Sequence, residues 1–314
     1  SPTSTRHPET TITLMPLNFN GRERLEKCLP GMLREAQNAP VPCEVWVIDN
    51  HSQDGSRELV ESRFPGARFV AYPDNRILAA YNEAAKTCSS PFILLLNNDV
   101  ELGENFIAPL YERLIGTPGA FAVSPRVNSP SESECYHRRR LGRFFHGHLA
   151  AHPGLPGAGG GLYLHGGAAL VRRDLFVELG GFDDRFFYME DLDLSYRAWR
   201  KGWSCIFEPK SELQHVGGAT TTSLFGAERK RGIKEKANNL FVLKQVQNPV
   251  WLVNFLFWSA LKLLKMVFTL DRHRAWAWAE TLRLLPSILR SRQQQDRLDD
   301  RELMSRIATL ELEP

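Results

Sequence analysis

The run Phe92-Ile93-Leu94-Leu95-Leu96 is continuously apolar and stops abruptly at the polar cluster Asn97-Asn98-Asp99. About five apolar residues are too few for a helix that keeps a solvent face, so the run reads as a strand covered on both sides, as in a parallel sheet with helices packed on each face. Similar alternations precede it. Thr11 to Leu17 reads as a strand entering the turn Asn18-Phe19-Asn20-Gly21, and Arg22 to Asn38 follows with Leu25, Leu29, Met32 and Leu33 at helical spacing and a kink expected at Pro30. Glu44 to Asp49 is a second buried strand, followed by the turn-rich 50–56 and a helix through Phe64. Arg68 to Tyr72 and Ile77 to Lys86 supply a third strand and helix. This alternation implies βαβ crossovers, an α/β class and a mainly parallel sheet.

Beyond Asp99 the pattern loosens. Phe121 to Val123 reads as a strand, whereas Asn128 to Gly161 is rich in Pro, Gly, Ser, His and Arg and reads as one long functional loop. Leu162 to Arg172 is strand-like, Asp174 to Leu179 a short helix closed by Gly180-Gly181, and the acidic stretch from Glu190 opens a helix that ends at Gly202. Capping alone would explain Glu190 and Asp191 there, and Asp193 with Arg197 forms an i, i+4 pair worth a few tenths of a kcal/mol on a surface. Ser204 to Phe207 reads as a strand, leading on to Glu212-Leu213-Gln214-His215.

Composition narrows the picture only slightly. With 43% hydrophobic and 24% charged residues over 314 positions, the chain is ordinary for a globular protein, and its net charge of +3 decides little. Its five cysteines (Cys28, Cys43, Cys88, Cys135 and Cys205) are scattered without a C-x-x-C pair, which predicts neither a disulfide framework nor a structural zinc site and fits a reducing cytosol. The polar stretch Ser1 to Thr11 does not read as a signal peptide. The absence of G-x-G-x-x-G after a strand and of G-x-x-x-x-G-K-[ST] takes away the main support for the dinucleotide and P-loop readings.

In parallel sheets ligands bind beyond the carboxyl ends of the strands. Asp49 therefore becomes a candidate for holding a base or ribose, the alternative being an Asp that only bonds its own turn. Asp99 offers a hard oxygen suited to Mg²⁺ or Mn²⁺ arriving on substrate phosphates, the alternative being a helix cap. Tyr136 to Arg140 and Arg143 to His146 mix aromatic and basic residues, a combination suited to a diphosphate or an anionic membrane surface, the more common alternative being a solvated basic loop. No recognised module accompanies them to support nucleic-acid binding.

Taken together, seven stretches resemble family 2 glycosyltransferases of the GT-A fold, most closely the bacterial rhamnosyltransferase-like branch. They are Leu17-Asn18-Phe19-Asn20-Gly21, Val47-Ile48-Asp49-Asn50 with 52–56, Asn75 with Asn82, Leu95-Leu96-Asn97-Asn98-Asp99, Gly180-Gly181-Phe182-Asp183, Glu190-Asp191-Leu192-Asp193 and His215-Val216-Gly217-Gly218. The resemblance implies a Rossmann-like sheet with helices on both faces. It implies donor-nucleotide contacts from Leu17, Asn18, Asn20, Asp49, Asn75, Asn82 and Asn98, a metal held by Asp99 and His215, and Asp191 as catalytic base with Glu190 its competitor. The metal motif carries one carboxylate, Asp99, where the family's D-x-D pattern has two, and Arg76-Ile77-Leu78-Ala79-Ala80 stands where the family has small, glycine-rich residues. A metal-bound leaving group and a single base suit direct displacement with inversion. The implied activity is transfer of a sugar such as rhamnose from a dTDP- or UDP-linked donor to a lipid-linked or polysaccharide acceptor in cell-envelope synthesis. A sugar nucleotidyltransferase, or a membrane scaffold that binds sugar nucleotides without turnover, are the alternatives; the former lacks its expected glycine-rich, arginine-bearing turn after the first strand.

The domain boundary is expected near residue 225, with a catalytic domain over 1–225 and a helical region over 226–314. Pro249 opens a strongly apolar stretch to Phe268 in which Asn254, Ser259, Lys262, Lys265 and Thr269 fall within an arc of roughly 140° at about 100° per residue. Two lysines on one stripe fit a helix lying in the membrane interface better than one spanning it. Arg272 to Arg292 reads as a second helix interrupted at Pro286, and 293–314 as a loose tail or short terminal helix. These helices predict a peripheral enzyme on the inner face of the cell membrane, or else a pair packed on the catalytic domain or across a homodimer.

Overall fold

The computed structural model describes residues 11–129, 138–154, 156–216, 220–292 and 298–313, with side chains 220–225 and 227 left out. Tyr136-His137 of the basic loop, Gly217-Gly218 of the last motif, Cys135, most of the N-terminal stretch and part of the tail lie outside the described residues. The strands are β1 (Ile12–Asn18), β2 (Cys43–Asp49), β3 (Ala67–Ala71), β4 (Phe92–Asn97), β5 (Val100–Leu102), β6 (Ala120–Asn128), β7 (Arg140–Phe145), β8 (His148–Pro153), β9 (Gly159–Gly160), β10 (Ala168–Arg172) and β11 (Ser204–His215). The helices are α1 (Arg22–Asn38), α2 (Ser56–Arg63), α3 (Ala80–Thr87), α4 (Ile107–Gly116), α5 (Arg173–Glu178), α6 (Glu190–Arg200), α7 (Thr220–Gln245), α8 (Pro249–Thr269), α9 (Arg272–Ser291) and α10 (Asp300–Thr309).

The chain divides into two compact units. The first comprises residues 1–138, 164–182 and 206–216; the second comprises 139–163, 183–205 and 217–314. In the first unit the sheet runs β3-β2-β1-β4-β10-β6-β11-β5. β1, β2, β3 and β4 are parallel, so Asn18, Asp49 and Asn97 all arrive at one carboxyl edge. β10 is antiparallel to both β4 and β6, and β5 antiparallel to β11, which makes the far half of the sheet mixed. The expected apolar strands form the core: Ile12, Leu14, Val47, Ile48 and Ile93 to Leu96 are fully or almost fully buried. α1 runs on through Pro30 as one helix.

The second unit contains a feature absent from the sequence reading. The loop expected over 128–161 includes the hairpin β7–β8, paired antiparallel from Arg140↔Pro153 to Phe145↔His148. Its two-residue turn has His146 at φ 50° and Gly147 at φ 77°, the positive-φ pair that matches a hairpin's twist. α8 lies along this hairpin: Gly147 N–H donates to Asn254 Oδ1 at 2.8 Å, and the Trp251 ring stacks on Phe144 at 4.7 Å. Trp258 packs on His146 at 4.3 Å. The tryptophans thus anchor the helix, while Val253, Leu256, Phe257, Leu264, Val267 and Phe268 remain exposed.

α6 is held by buried charge. Asp193 is fully buried and accepts from Arg197 Nε at 3.0 Å, Lys244 Nζ at 2.9 Å and Gln245 Nε2 at 2.7 Å. The Asp193–Arg197 pair is therefore a desolvated network rather than the weak surface pair its spacing suggests, because Lys244 of α7 closes over it. A second hub lies on α10. Asp300, fully buried, pairs with Arg200 and Tyr196 and accepts from the backbone N–H groups of Gln247 at 2.7 Å and Asn248 at 2.6 Å, which fixes the start of α8. α9 continues through Pro286, and its start is capped by Asp271, which accepts from Arg274 N–H at 3.0 Å.

Candidate active site

At the carboxyl edge of the parallel strands, the polar residues join into one chain of hydrogen bonds. Asn98 Nδ2 donates to Asn18 Oδ1 at 2.7 Å, and Asn18 Nδ2 donates to Asp49 Oδ1 at 2.8 Å. Asp49 is 2% exposed; its Oδ1 also accepts from the Ser52 hydroxyl at 2.6 Å and its Oδ2 from the Ser52 N–H at 2.9 Å. Asn20 completes the chain, donating its N–H to Ser52 Oγ at 2.8 Å and accepting from Gln53 N–H at 2.9 Å. A Cβ at Gly21 would stand 2.1 Å from Asn98 Nδ2, so this turn needs glycine for the asparagines to meet. Ser52 lies in one of the matching stretches but carries no role in the sequence reading, although an Asp followed three positions later by Ser is a recurrent turn pattern.

Asn75 and Asn82 stand apart from that chain. Asn75 accepts from Ile77 N–H at 3.0 Å and shapes its own loop, which Asn50 ties back to the strand end by donating to Ile77 O at 3.1 Å. Asn82 spends both ends of its amide on Phe182, accepting from its N–H and donating to its C=O, each at 2.8 Å. It clamps the Gly181-Phe182 turn, and the side chain approaches so closely that a Cβ at Gly181 would lie 2.1 Å from Asn82 Oδ1.

Strand pairing brings Asp99 and His215 together. His215 is in register with Val100, and Val216 N–H donates to Asp99 O at 3.0 Å. His215 Nε2 lies 3.2 Å from Asp99 Oδ1. Burial alone would make the Asp99 carboxyl a weaker acid, but the hydrogen bond and charge of His215 and the charge of Arg24 outweigh it and hold the carboxyl below its ordinary range. Adjacent ligands of an octahedral ion with bonds of about 2.1 Å lie about 3 Å apart, so this oxygen–nitrogen pair has the spacing of two neighbouring ligands. Among the described residues no cluster of three or more His, Cys, Asp or Glu could enclose an ion. The pair thus fits a cation completed by substrate oxygens rather than one caged by protein. His165 is a neighbour that the sequence did not flag: burial, aided by the charge of His215, pushes its imidazole down to about 4.

Glu190 and Asp191 belong to the second unit, at the start of α6. The two residues before them carry left-handed backbone, Tyr188 at φ 108° and Met189 at φ 65°, a strained conformation for side-chain-bearing residues that is retained chiefly at functional positions. Glu190 Oε2 accepts from Tyr188 N–H at 2.7 Å, and burial pushes the Glu190 carboxyl upward. Asp191 Oδ1 accepts from Leu192 N–H at 2.7 Å and is half-buried. It lines a cavity of about 510 Å³ together with Tyr188, His148, Lys234, Lys262 and Arg274.

The model of the family described as "Glycosyl transferase family 2" matches residues 17–180, which contain Asn18, Asp49 and Asp99. The chain belongs to this family. It is 28% identical over 204 residues to the N-acetylglucosaminyl-diphospho-decaprenol L-rhamnosyltransferase of Mycobacterium tuberculosis, covering 55% of this chain and 66% of that protein. It is 24% identical over 212 residues to the succinoglycan biosynthesis protein ExoA of Rhizobium meliloti, covering 64% and 60%. The chain thus spans just under two thirds of the length of these relatives. The fold is shared with the mannosyltransferase PcManGT of Pyrobaculum calidifontis in complex with GDP-Man and Mn²⁺ (14% identity, TM-score 0.54, 92% of this chain and 80% of that one). It is shared likewise with residues 1–349 of S. aureus TarS (12% identity, TM-score 0.57, 89% and 82%). The expected GT-A architecture and glycosyltransferase family therefore hold.

Proposed function

We propose that this family 2 glycosyltransferase transfers a deoxyhexose such as rhamnose, with inversion, from a dTDP- or UDP-linked donor to a lipid-linked acceptor at the inner face of the cell membrane. The single observation that carries the reading is the edge of the parallel sheet. There Asn98, Asn18, Asp49, Ser52 and Asn20 form a preorganised polar chain, and the Asp99–His215 pair stands 3.2 Å apart. The Asp49 group holds the nucleoside, with Leu17 and Asn75 flanking it. Asp99 and His215 would hold Mg²⁺ or Mn²⁺, which would supply Lewis acidity to the departing diphosphate. Asp191 takes the proton from the acceptor hydroxyl as that oxygen attacks the anomeric carbon, a step worth about 10²–10⁴-fold. Glu190, its carboxyl raised by burial and occupied by the Tyr188 N–H, orients the turn that presents Asp191.

The mycobacterial relative's acceptor, named as an N-acetylglucosaminyl-diphospho-decaprenol, supports a lipid-linked acceptor here. α8 supports the membrane surface: its 21 residues are long and apolar enough to cross a bilayer by length and composition alone, yet it packs along β7–β8 with Phe255 and Ser259 buried and turns its exposed apolar residues outward. That arrangement suits a helix seated in the interface. The test is incubation of the full chain with dTDP-rhamnose, Mn²⁺ and a short-chain diphosphopolyprenyl N-acetylglucosamine, with the product's anomeric configuration read by NMR. An inverted rhamnosyl linkage formed only with the cation is expected. Conversion of dTDP-rhamnose and added pyrophosphate to dTTP and rhamnose 1-phosphate instead would favour a nucleotidyltransferase, and binding without turnover a scaffold.

A further inference from the structure

The cavity beside Asp191 has a charge that the sugar chemistry alone does not require. Its walls come from the β7–β8 hairpin, the start of α6, and α7, α8 and α9. Four cations, Arg231, Lys234, Lys262 and Arg274, face two carboxylates, Asp191 and Glu235, for a net of 4 − 2 = +2. Two of the cations are already matched. Arg274 Nε lies 2.9 Å from Glu235, and Arg231 lies 2.8 Å from Asp271. Lys234 lies over the Tyr188 ring at 5.3 Å, and neither it nor Lys262 has a carboxylate within ion-pair distance among the described residues. A base that removes a proton gains nothing from surrounding cations that make it less basic. With the arginines matched to Glu235 and Asp271, Lys234 and Lys262 share the cavity with the single carboxylate of Asp191, and this excess of positive charge points to an anionic ligand.

We propose that Lys234 and Lys262 bind the diphosphate of the acceptor, so that the enzyme selects acceptors whose sugar is linked to lipid through a diphosphate. The inference rests on the reading of Asp191 as the base of a glycosyltransferase and names the acceptor class for that same site. Size agrees: a cavity of about 510 Å³ falls within the range of about 300–1,000 Å³ for small-ligand sites. Position agrees as well. Lys262 is on α8, the helix that also carries the exposed Leu261, Leu264 and Phe268, so a ligand with a charged head and an isoprenoid tail meets its two requirements on one helix. Lys262 is close enough to the hairpin for its charge to lower the His148 imidazole in addition to the larger effect of burial.

The experiment is calorimetric titration of the full chain, in detergent, with farnesyl diphosphate, and with farnesol as the control that lacks the anion. Farnesyl diphosphate is expected to bind at least tenfold more tightly than farnesol, with no loss when saturating UDP and dTDP occupy the donor site. Lys234→Gln and Lys262→Gln are each expected to weaken it about tenfold, the scale of a lost charge-assisted hydrogen bond, and Lys262→Arg to restore most of it. Lys234 is exposed and Lys262 half-buried, and unchanged circular dichroism melts establish that the variants fold. Equal affinity of wild type and both Gln variants, displacement by UDP, or equal binding of farnesol would overturn the assignment. None of these readouts involves turnover. Diphosphate binding in a chain that transfers no sugar would leave this site standing and sink the glycosyltransferase mechanism, whereas inverting transfer by a chain whose Gln variants bind farnesyl diphosphate normally would do the reverse.

Discussion

At the scale of single residues, the proposed chemistry turns on carboxylates whose surroundings differ. Asp49 receives three hydrogen bonds, two of them from Ser52, so Ser52→Ala should loosen the carboxylate and weaken nucleotide binding about tenfold, as charge-assisted bonds of roughly 1.5–3 kcal/mol imply; a titration with UDP and dTDP checks this. Asn82 behaves differently. Because its amide satisfies both backbone groups of Phe182, Asn82→Ala leaves them short of partners and should cost about 1–3 kcal/mol of stability, seen as a lower midpoint in urea. Asp49 and Asp99 were legible in the sequence because each ends an apolar run. The clamp role of Asn82 was not, since its partner lies a hundred residues away and nothing local to Asn82 signals it.

At the scale of elements, the parallel half of the sheet was legible because each of its strands is a short apolar run between helical stretches, whereas the hairpin β7–β8 was not. Its sequence, RLGRFF and HLAAHP, lacks a clean alternation, and only the backbone signs of His146 and Gly147 make the turn. β11 likewise extends to His215, well past the apolar Ser204 to Phe207, because its polar half finds β5 as a partner. α10 matters more than a charged tail suggests. Asp300 neutralises the buried Arg200 and caps the chain entering α8, so Asp300→Asn should cost about 3–5 kcal/mol by stranding a buried charge, measurable as a fall in thermal midpoint. For the same reason a truncation before Pro249 would remove Asp300 and is a poor test of the proposed membrane contact of α8. Paired substitution of the exposed Leu264 and Phe268 by Glu is the cleaner one. It should abolish sedimentation with phosphatidylglycerol vesicles while leaving the melt in place, and retained sedimentation would place the membrane contact elsewhere.

At the scale of the whole molecule, stability should depend on pH through the network that seats α6. Burial raises the Asp183 carboxyl, but the hydrogen bond from Arg185 and the charge and hydrogen bond of Lys244 more than offset this and depress it far below its ordinary value of 3.8. A carboxylate depressed in the folded state contributes stability above its unfolded value and loses it as pH falls through the folded one. Melts of the wild type should therefore fall progressively below about pH 4, and Asp183→Asn should be less stable at pH 6 yet lose less between pH 4 and 2. The central claim, however, concerns catalysis: that Asp191 is the base of a sugar transfer for which the Asp49 edge supplies the donor. The most direct measurement is the rate of nucleoside diphosphate release from dTDP-rhamnose in the presence of the diphospholipid acceptor, for wild type and Asp191→Asn, alongside nucleotide affinity. The account predicts a rate reduced by about 10²–10⁴-fold with dTDP affinity within twofold of wild type, and turnover in Asp191→Asn equal to wild type would contradict it.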